Sequence, residues 1–253
     1  MGTRNFKSFT ITIAVVIYLL TASWSASGQS MYIRLRDYCK KLPAGFEEIP
    51  GFRKDSLNKI GNYILGKHEK GEPALILFAD RNNAKISQLS ELWFYIAQNY
   101  YKVKNVSVFS GGLEPTSFDH RIVPSIQHAG LILIPPQQYM NNLIYYINAG
   151  KRFPDYSMFA KPIDYHLNPH DHFLFVGTCP EMEKVSYLNY GAEQRVLLLW
   201  DNPSSWDDTP VEQKKYESCA AEIARDMFYI MDYVKKEEKA RKKGKGKRFP
   251  GNF

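Results

Sequence analysis

The chain has 253 residues, 44% of them apolar, with 16 Gly and 14 Pro. That is enough apolar material for one full-sized core, and it excludes wholesale disorder. The net charge of +7 is local: Lys235–Arg248 holds nine Lys or Arg and two Glu, so the rest of the chain balances and a broad nucleic-acid-binding face is excluded.

Residues 1–28 are predicted to be a secretory signal peptide. Arg4 and Lys7 form a basic start, Ile11–Leu20 is an apolar core of signal length, and Ala26-Ser27-Gly28 supplies small residues before a cut at Gln29. The apolar run is short for a membrane span, which needs about 20 residues. The expectation is therefore an exported protein, periplasmic or extracellular, with an uncleaved N-terminal anchor as the alternative. Cys39, Cys179 and Cys219 lie far apart with no C-x-x-C spacing. Buried thiols are expected, although an exported protein is permitted one bridge.

Residues 31–70 are predicted to be a helical lead-in. Tyr32, Leu35 and Tyr38 have helical spacing, as do Leu57, Ile60, Tyr63 and Ile64, with Pro43 and Gly45 breaking the two. Ala74–Ala79 is a short apolar run that predicts a buried strand. Ser87–Tyr101 predicts an amphipathic helix with Leu89, Leu92, Trp93, Ile96, Ala97 and Tyr100 on one stripe. The loop between them, Asp80-Arg81-Asn82-Asn83-Ala84-Lys85-Ile86, opens onto a helix N-terminus. There, free backbone N–H groups and the helix dipole favour an anion.

Val106–Phe109 predicts a second strand, ended by Ser110-Gly111-Gly112, and Asp119–Ala129 a short helix closed by Gly130. Leu131–Ile134 is a short strand, and Leu143–Ile147 has the composition to extend a sheet. Phe173–Cys179 and Val196–Trp200 are core strands joined by a crossover or loop. Thr209-Pro210-Val211-Glu212 has the form of a capping box with Pro in the first turn. The helix it starts carries Tyr216, Cys219, Ala220, Ile223, Met227, Ile230 and Val234 on one face. Residues 235–253, where Lys and Gly alternate, are expected to be a disordered basic tail. Strands joined by helices predict a doubly wound α/β domain over residues 72–234, with a parallel four-stranded sheet. In such domains ligands sit at the carboxyl ends of the strands, where Asp80 and Asp201 both fall.

The strand, loop and helix around Asp80 resemble the phosphate loop of the low-molecular-weight protein tyrosine phosphatase and thioredoxin-coupled arsenate reductase family. That loop has a Cys nucleophile, five residues, an Arg, then Ser or Thr. Setting Ser87-Gln88 on the family's Ser-Gln puts Asp80 at the Cys and Ile86 at the Arg. Asn83 resembles the loop-bracing Asn, and Ser110-Gly111-Gly112-Leu113-Glu114 resembles the Ser-(Ala/Gly)-Gly-x-Glu segment after the second strand. The family's Asp-Pro acid aligns on Asn202-Pro203, with Asp201 one residue earlier. The resemblance covers about Glu72 to Tyr233. It implies a phosphate-loop skeleton, Asp80 to Ser87, without thiolate, guanidinium clamp or proton donor. Each of these contributes orders of magnitude to phosphoryl transfer.

The expected function is thus a catalytically inactive, phosphatase-like binding or interaction module with no cofactor. The competing expectation is a phosphatase- or arsenate-reductase-like enzyme rebuilt on Asp80 and Asp201, with Asp80 as phosphoacceptor and a Mg²⁺ ion held between them. The plainer reading of Asp80 is a helix cap, or a partner for Arg81 or Lys85. His166, His170 and His172 form an H-x3-H-x-H run that is a weak zinc candidate, since Pro169 interrupts helical spacing. The expected partner is an unidentified protein or small ligand, with the basic tail suited to an anionic surface.

Overall fold

A computed structural model of the chain describes residues 30–134, 143–151, 153–154 and 156–245. The signal-peptide expectation and the last part of the basic tail lie outside the described residues. Among the described residues no helix is long and apolar enough to cross a membrane.

A short strand β1 (Ser30–Met31) leads into helix α1 (Ile33–Lys41), a 3₁₀ stretch (Leu42–Glu48) and helix α2 (Gly51–Lys70). These form the expected helical lead-in, broken at Pro43 and Gly45 because Pro has no N–H for an ongoing helix. Strand β2 (Ala74–Asp80), helix α3 (Ile86–Tyr101) and strand β3 (Val106–Gly112) follow. After a 3₁₀ turn at His120–Ile122 comes the short helix α4 (Val123–His128). Strands β4 (Ile132–Ile134), β5 (Tyr145–Asn148), β6 (Gly150–Lys151) and β7 (Tyr156–Met158) lie next in the chain. Strands β8 (Phe173–Gly177) and β9 (Ala192–Leu197) precede the long helix α5 (Glu212–Lys245).

The main sheet has the order β3-β2-β8-β9, and every pair in it is parallel. The chain enters at β2, steps to β3 on one side, then to β8 on the other. The carboxyl end of β2 is therefore the point where strand order reverses, the place such sheets present to a ligand. Ile76, Phe78, Leu174 and Val176 face a core shared with α1, α2, α3 and α5, while Leu77, Ala79, Phe173 and Phe175 face a smaller one. The α-helices gather on the first face. The second is covered by Ile163, Met182 and the 3₁₀ turns Pro180–Glu183 and Tyr187–Tyr190. Strand β2 is buried on both faces, which is why it reads as an unbroken apolar run.

Strands β4 and β5 form and extend a sheet as expected, a separate antiparallel one with β7 whose inward residues Leu133, Ile147 and Met158 join the larger core. Two sequence expectations need correction. The box at Thr209 is shifted by one residue: the Glu212 carboxylate accepts from the Asp208 N–H at 2.7 Å, while the Thr209 hydroxyl donates to the Trp206 carbonyl at 2.6 Å. The basic segment is not disordered from Lys235 onward, for α5 continues to Lys245. Arg241 pairs with Glu69, and His68 with Glu238 at 3.0 Å, which pins the extension against the end of α2.

Gly112 ends β3 directly beneath the loop that follows β2. A Cβ there would stand 2.8 Å from the Asn83 nitrogen and 2.9 Å from the Arg81 oxygen, both backbone atoms held in place. Gly112→Ala is expected to lower stability by about 1–3 kcal/mol in urea unfolding. Gly66→Ala, in the interior of α2 with nothing within 4 Å of the new methyl, is expected to raise it by about 0.5–1 kcal/mol. The opposite order would contradict this packing.

Candidate functional site: a loop closed on its own carboxylate

Helix α3 begins without a local cap, since Lys85 in the cap position makes no side-chain bond to the first turn. Its free N–H groups are met from further back in the chain. One oxygen of Asp80 accepts from the Asn83 N–H at 2.5 Å, and the other from the Ser87 N–H at 3.0 Å. A buried carboxylate at the tip of the central strand thus lies where loop amides and helix N-terminus converge. Burial pushes its carboxyl above the usual range, and hydrogen bonds from Ser87, Asn83 and Asn82 pull part of the way back.

Asn83 holds the loop's shape. It is fully buried at φ +47°, a left-handed conformation that Asn tolerates better than most residues. Its Nδ2 donates to Ser87 Oγ at 2.9 Å, and its Oδ1 accepts from the Lys161 N–H at 2.9 Å. Gln88 Nε2 donates to its carbonyl. The outer side of the loop is sewn to the segment after β3, where the N–H groups of Leu113, Glu114, Thr116 and Asp119 donate to the carbonyls of Asp80, Arg81, Asn82 and Ala84. Behind it, Lys161 Nζ pairs with Glu91 at 3.1 Å and donates to Ser110 Oγ at 3.2 Å.

The two cations of the loop turn away from Asp80. Arg81 pairs with Glu114 at 2.9 Å on the surface. Lys85 Nζ bonds Asp119 at 3.0 Å and also Ser204 Oγ. Arg121 stands on the other side of Asp119. Burial would raise the Asp119 carboxyl, but Lys85, the Arg121 N–H and the Arg121 charge outweigh that and hold it below its ordinary value.

A cleft of ≈ 290 Å³ opens over the loop, lined by Asp80, Ile86, Cys179, Glu181, Trp200 and Asn202 among others. Asn202 caps the following 3₁₀ turn, its Oδ1 accepting from the Ser204 N–H at 3.1 Å. Asp201 does not line this cleft; it faces a separate small pocket with Trp206 and Lys215. Exposed Asn82 and half-buried Ala84 complete the loop, and Ile86 is the first residue of α3, buried with Ser87. The plainer reading of Asp80 as a cap is the one found, and the pairing with Arg81 or Lys85 is not. The histidines are not brought together. His172 lies 3.7 Å from Glu193, and the His166 ring lies against that of Tyr165 at a tilt of 53°. Among the described residues no group of three His, Cys, Asp or Glu is placed to hold a metal.

Glu181 and Lys161 were not singled out from the sequence, and Cys179 was read only as a thiol at the end of a core strand, not as part of this site. Cys179 follows the core strand β8, so the rule that sites form at strand carboxyl ends was the available signal. Its thiol is half-buried beside Asp80 and Glu181. Burial first, then the neighbouring carboxylates, push it up to about 11, so it is protonated at neutral pH and is no thiolate nucleophile. Cys39 and Cys219 are buried and unpaired, as the sequence led one to expect. Nothing local to Lys161 announces its contact with Asn83, which depends on tertiary packing.

The fold and site define a parallel α/β domain with a strand-loop-helix junction whose amides are bonded to an internal carboxylate. No protein-family model matches this chain, and no curated protein matches it in sequence. Among solved structures it is similar to a low-molecular-weight phosphotyrosine phosphatase of Vibrio cholerae O395, at 12% identity and a TM-score of 0.41 over 65% of this chain and 98% of that one. A low-molecular-weight protein tyrosine phosphatase of T. tengcongensis aligns at 14% identity and TM-score 0.38, over 66% and 99%. A thioredoxin-dependent arsenate reductase of Corynebacterium glutamicum aligns at 18% and 0.34, over 72% and 73%.

Two outcomes are expected from this geometry. Asn83→Ala leaves two buried partners, Ser87 and the Lys161 N–H, without their bonds, and should cost about 2–4 kcal/mol in denaturant unfolding. Asp119 has a folded pKa below its unfolded value of about 3.9. Its contribution to stability is therefore present above that value and lost as pH falls through the folded one. The stability gap between the parent and Asp119→Asn should be constant from neutral pH to about 5 and shrink below about 4. A gap that widens on acidification would contradict the Lys85 pairing.

Proposed function

We propose that this chain is an exported, catalytically inactive domain of phosphatase-like fold that acts as a binding or interaction module. One observation carries the reading. The amides that a phosphate loop offers to a phosphoryl group are already bonded to the Asp80 carboxylate. An incoming phosphate dianion would meet a buried acid in the place it needs, with Arg81 and Lys85 both engaged elsewhere. Export rests on the leader composition of residues 1–28.

The competing reading is an enzyme whose chemistry is rebuilt on Asp80 and Asp201. Both oxygens of Asp80 are held by backbone donors, and Asp201 lies outside the Asp80 cleft, so an attacking carboxylate and a shared Mg²⁺ are both disfavoured. Cys179 offers no substitute nucleophile while its thiol is protonated.

Hydrolysis of p-nitrophenyl phosphate, with and without Mg²⁺, separates the two. The expected result is no turnover above buffer in either condition, for the parent chain and for Asp80→Ala alike. Turnover by the parent that disappears in Asp80→Ala would establish the enzyme reading instead.

A further inference from the structure

The end of the sheet opposite Asp80 carries a second cluster of charged side chains. The turn between α3 and β3 brings Lys102 and Lys104 to the surface, immediately before β3 begins at Val106. The extension of α5 passes close by and adds Lys235, Arg241 and Lys242. Together with the end of α2 they line a groove of ≈ 580 Å³, with the buried Leu65 among its lining residues. Its lining includes five Lys or Arg against two Glu. Those two Glu are already used. Glu69 pairs with Arg241, and Glu238 bonds His68 at 3.0 Å and Lys235 at 3.4 Å. Lys102, Lys104 and Lys242 are exposed and have no ion-pair partner among the described residues.

This differs from a solvated basic tail in two respects. The ion pairs to α2 fix the helix, so its charges are held in place and not free to spread apart. The unpaired lysines come from separate parts of the chain, so the fold itself gathers like charges that repel unless an anion sits among them. Lys235, Arg241 and Lys242 belong to the Lys235–Arg248 run that carries the chain's net charge, and the fold sets Lys102 and Lys104 beside them. The site is a groove open to solvent, so the vesicle and duplex arms of the test distinguish a lipid surface or a nucleic acid from a polypeptide. A flexible chain of carboxylates fits both the shape and the charge.

We propose that this groove, between the α3–β3 turn and the α5 extension, binds an extended acidic segment of a partner polypeptide. The proposal is independent of whether the Asp80 loop is inert.

The test is fluorescence anisotropy of a labelled deca-glutamate peptide titrated with the purified chain, at low and at raised salt. The expected result is saturable binding that weakens with salt. The triple variant Lys102→Glu/Lys104→Glu/Lys242→Glu should weaken it about 30-fold, taking roughly threefold for each reversed surface contact. The control Arg34→Glu/Arg36→Glu/Lys41→Glu changes net charge equally on exposed positions of α1 and should cost less than about threefold. Circular dichroism melts establish that both variants are folded. Equal loss in the two variants, or no saturable binding by the parent, would overturn the proposal. So would tighter binding to phosphatidylserine vesicles or to a DNA duplex that is lost in the groove variant.

Discussion

The architecture turns on one carboxylate. A strand that runs into a helix through a tight loop leaves several N–H groups pointing at one spot, and burying such donors unmet costs about 1–3 kcal/mol each. Here the chain meets them from within, by placing Asp80 at the strand tip with one oxygen on Asn83 and the other on Ser87. Asn83, Gln88, Gly112 and Lys161 are arranged around that contact.

Burial and charge act against each other at this point. Desolvation disfavours the ionised form of Asp80, and the backbone donors favour it. A second buried acid shows the same balance: Asp226 on α5 is raised by burial, then drawn down by Arg53 and by the Trp200 indole, which donates to it at 2.8 Å. Arg53 lies on α2, so this network ties the lead-in helix to the last helix behind the sheet. Both acids are affordable only because donors surround them, and removing one partner leaves the other exposed to the full cost.

The parts legible in the sequence were those with local signatures. The apolar run of β2 and the stripe of α3 each carry their own period; Gly111 and Gly112, expected to end the strand, are its last two paired residues, and what they need is close backbone approach. Together these signatures located the loop, and the family resemblance pointed to Asn83 as its brace. The unread parts depended on distant residues. That Arg241 meets Glu69 and His68 meets Glu238 is a fact of packing between α2 and α5, so the start of a Lys-rich run looked unstructured where it is helical as far as Lys245. The antiparallel sheet of β4, β5 and β7 was hidden for a similar reason, since short strands cannot announce which neighbour they pair with. Cys179 and Lys161 entered the site through strand order and a backbone contact, neither of which a linear pattern contains.

The central claim is that Asp80 occupies the pocket an oxyanion would need. Amide chemical shifts of Asn83 and Ser87, followed by NMR during titration with inorganic phosphate, measure this most directly. The account predicts no saturable shifts in the parent chain, and saturable shifts at both amides in Asp80→Ala, where the donors are released. Saturable phosphate binding at these amides in the parent, with Asp80 in place, would contradict it.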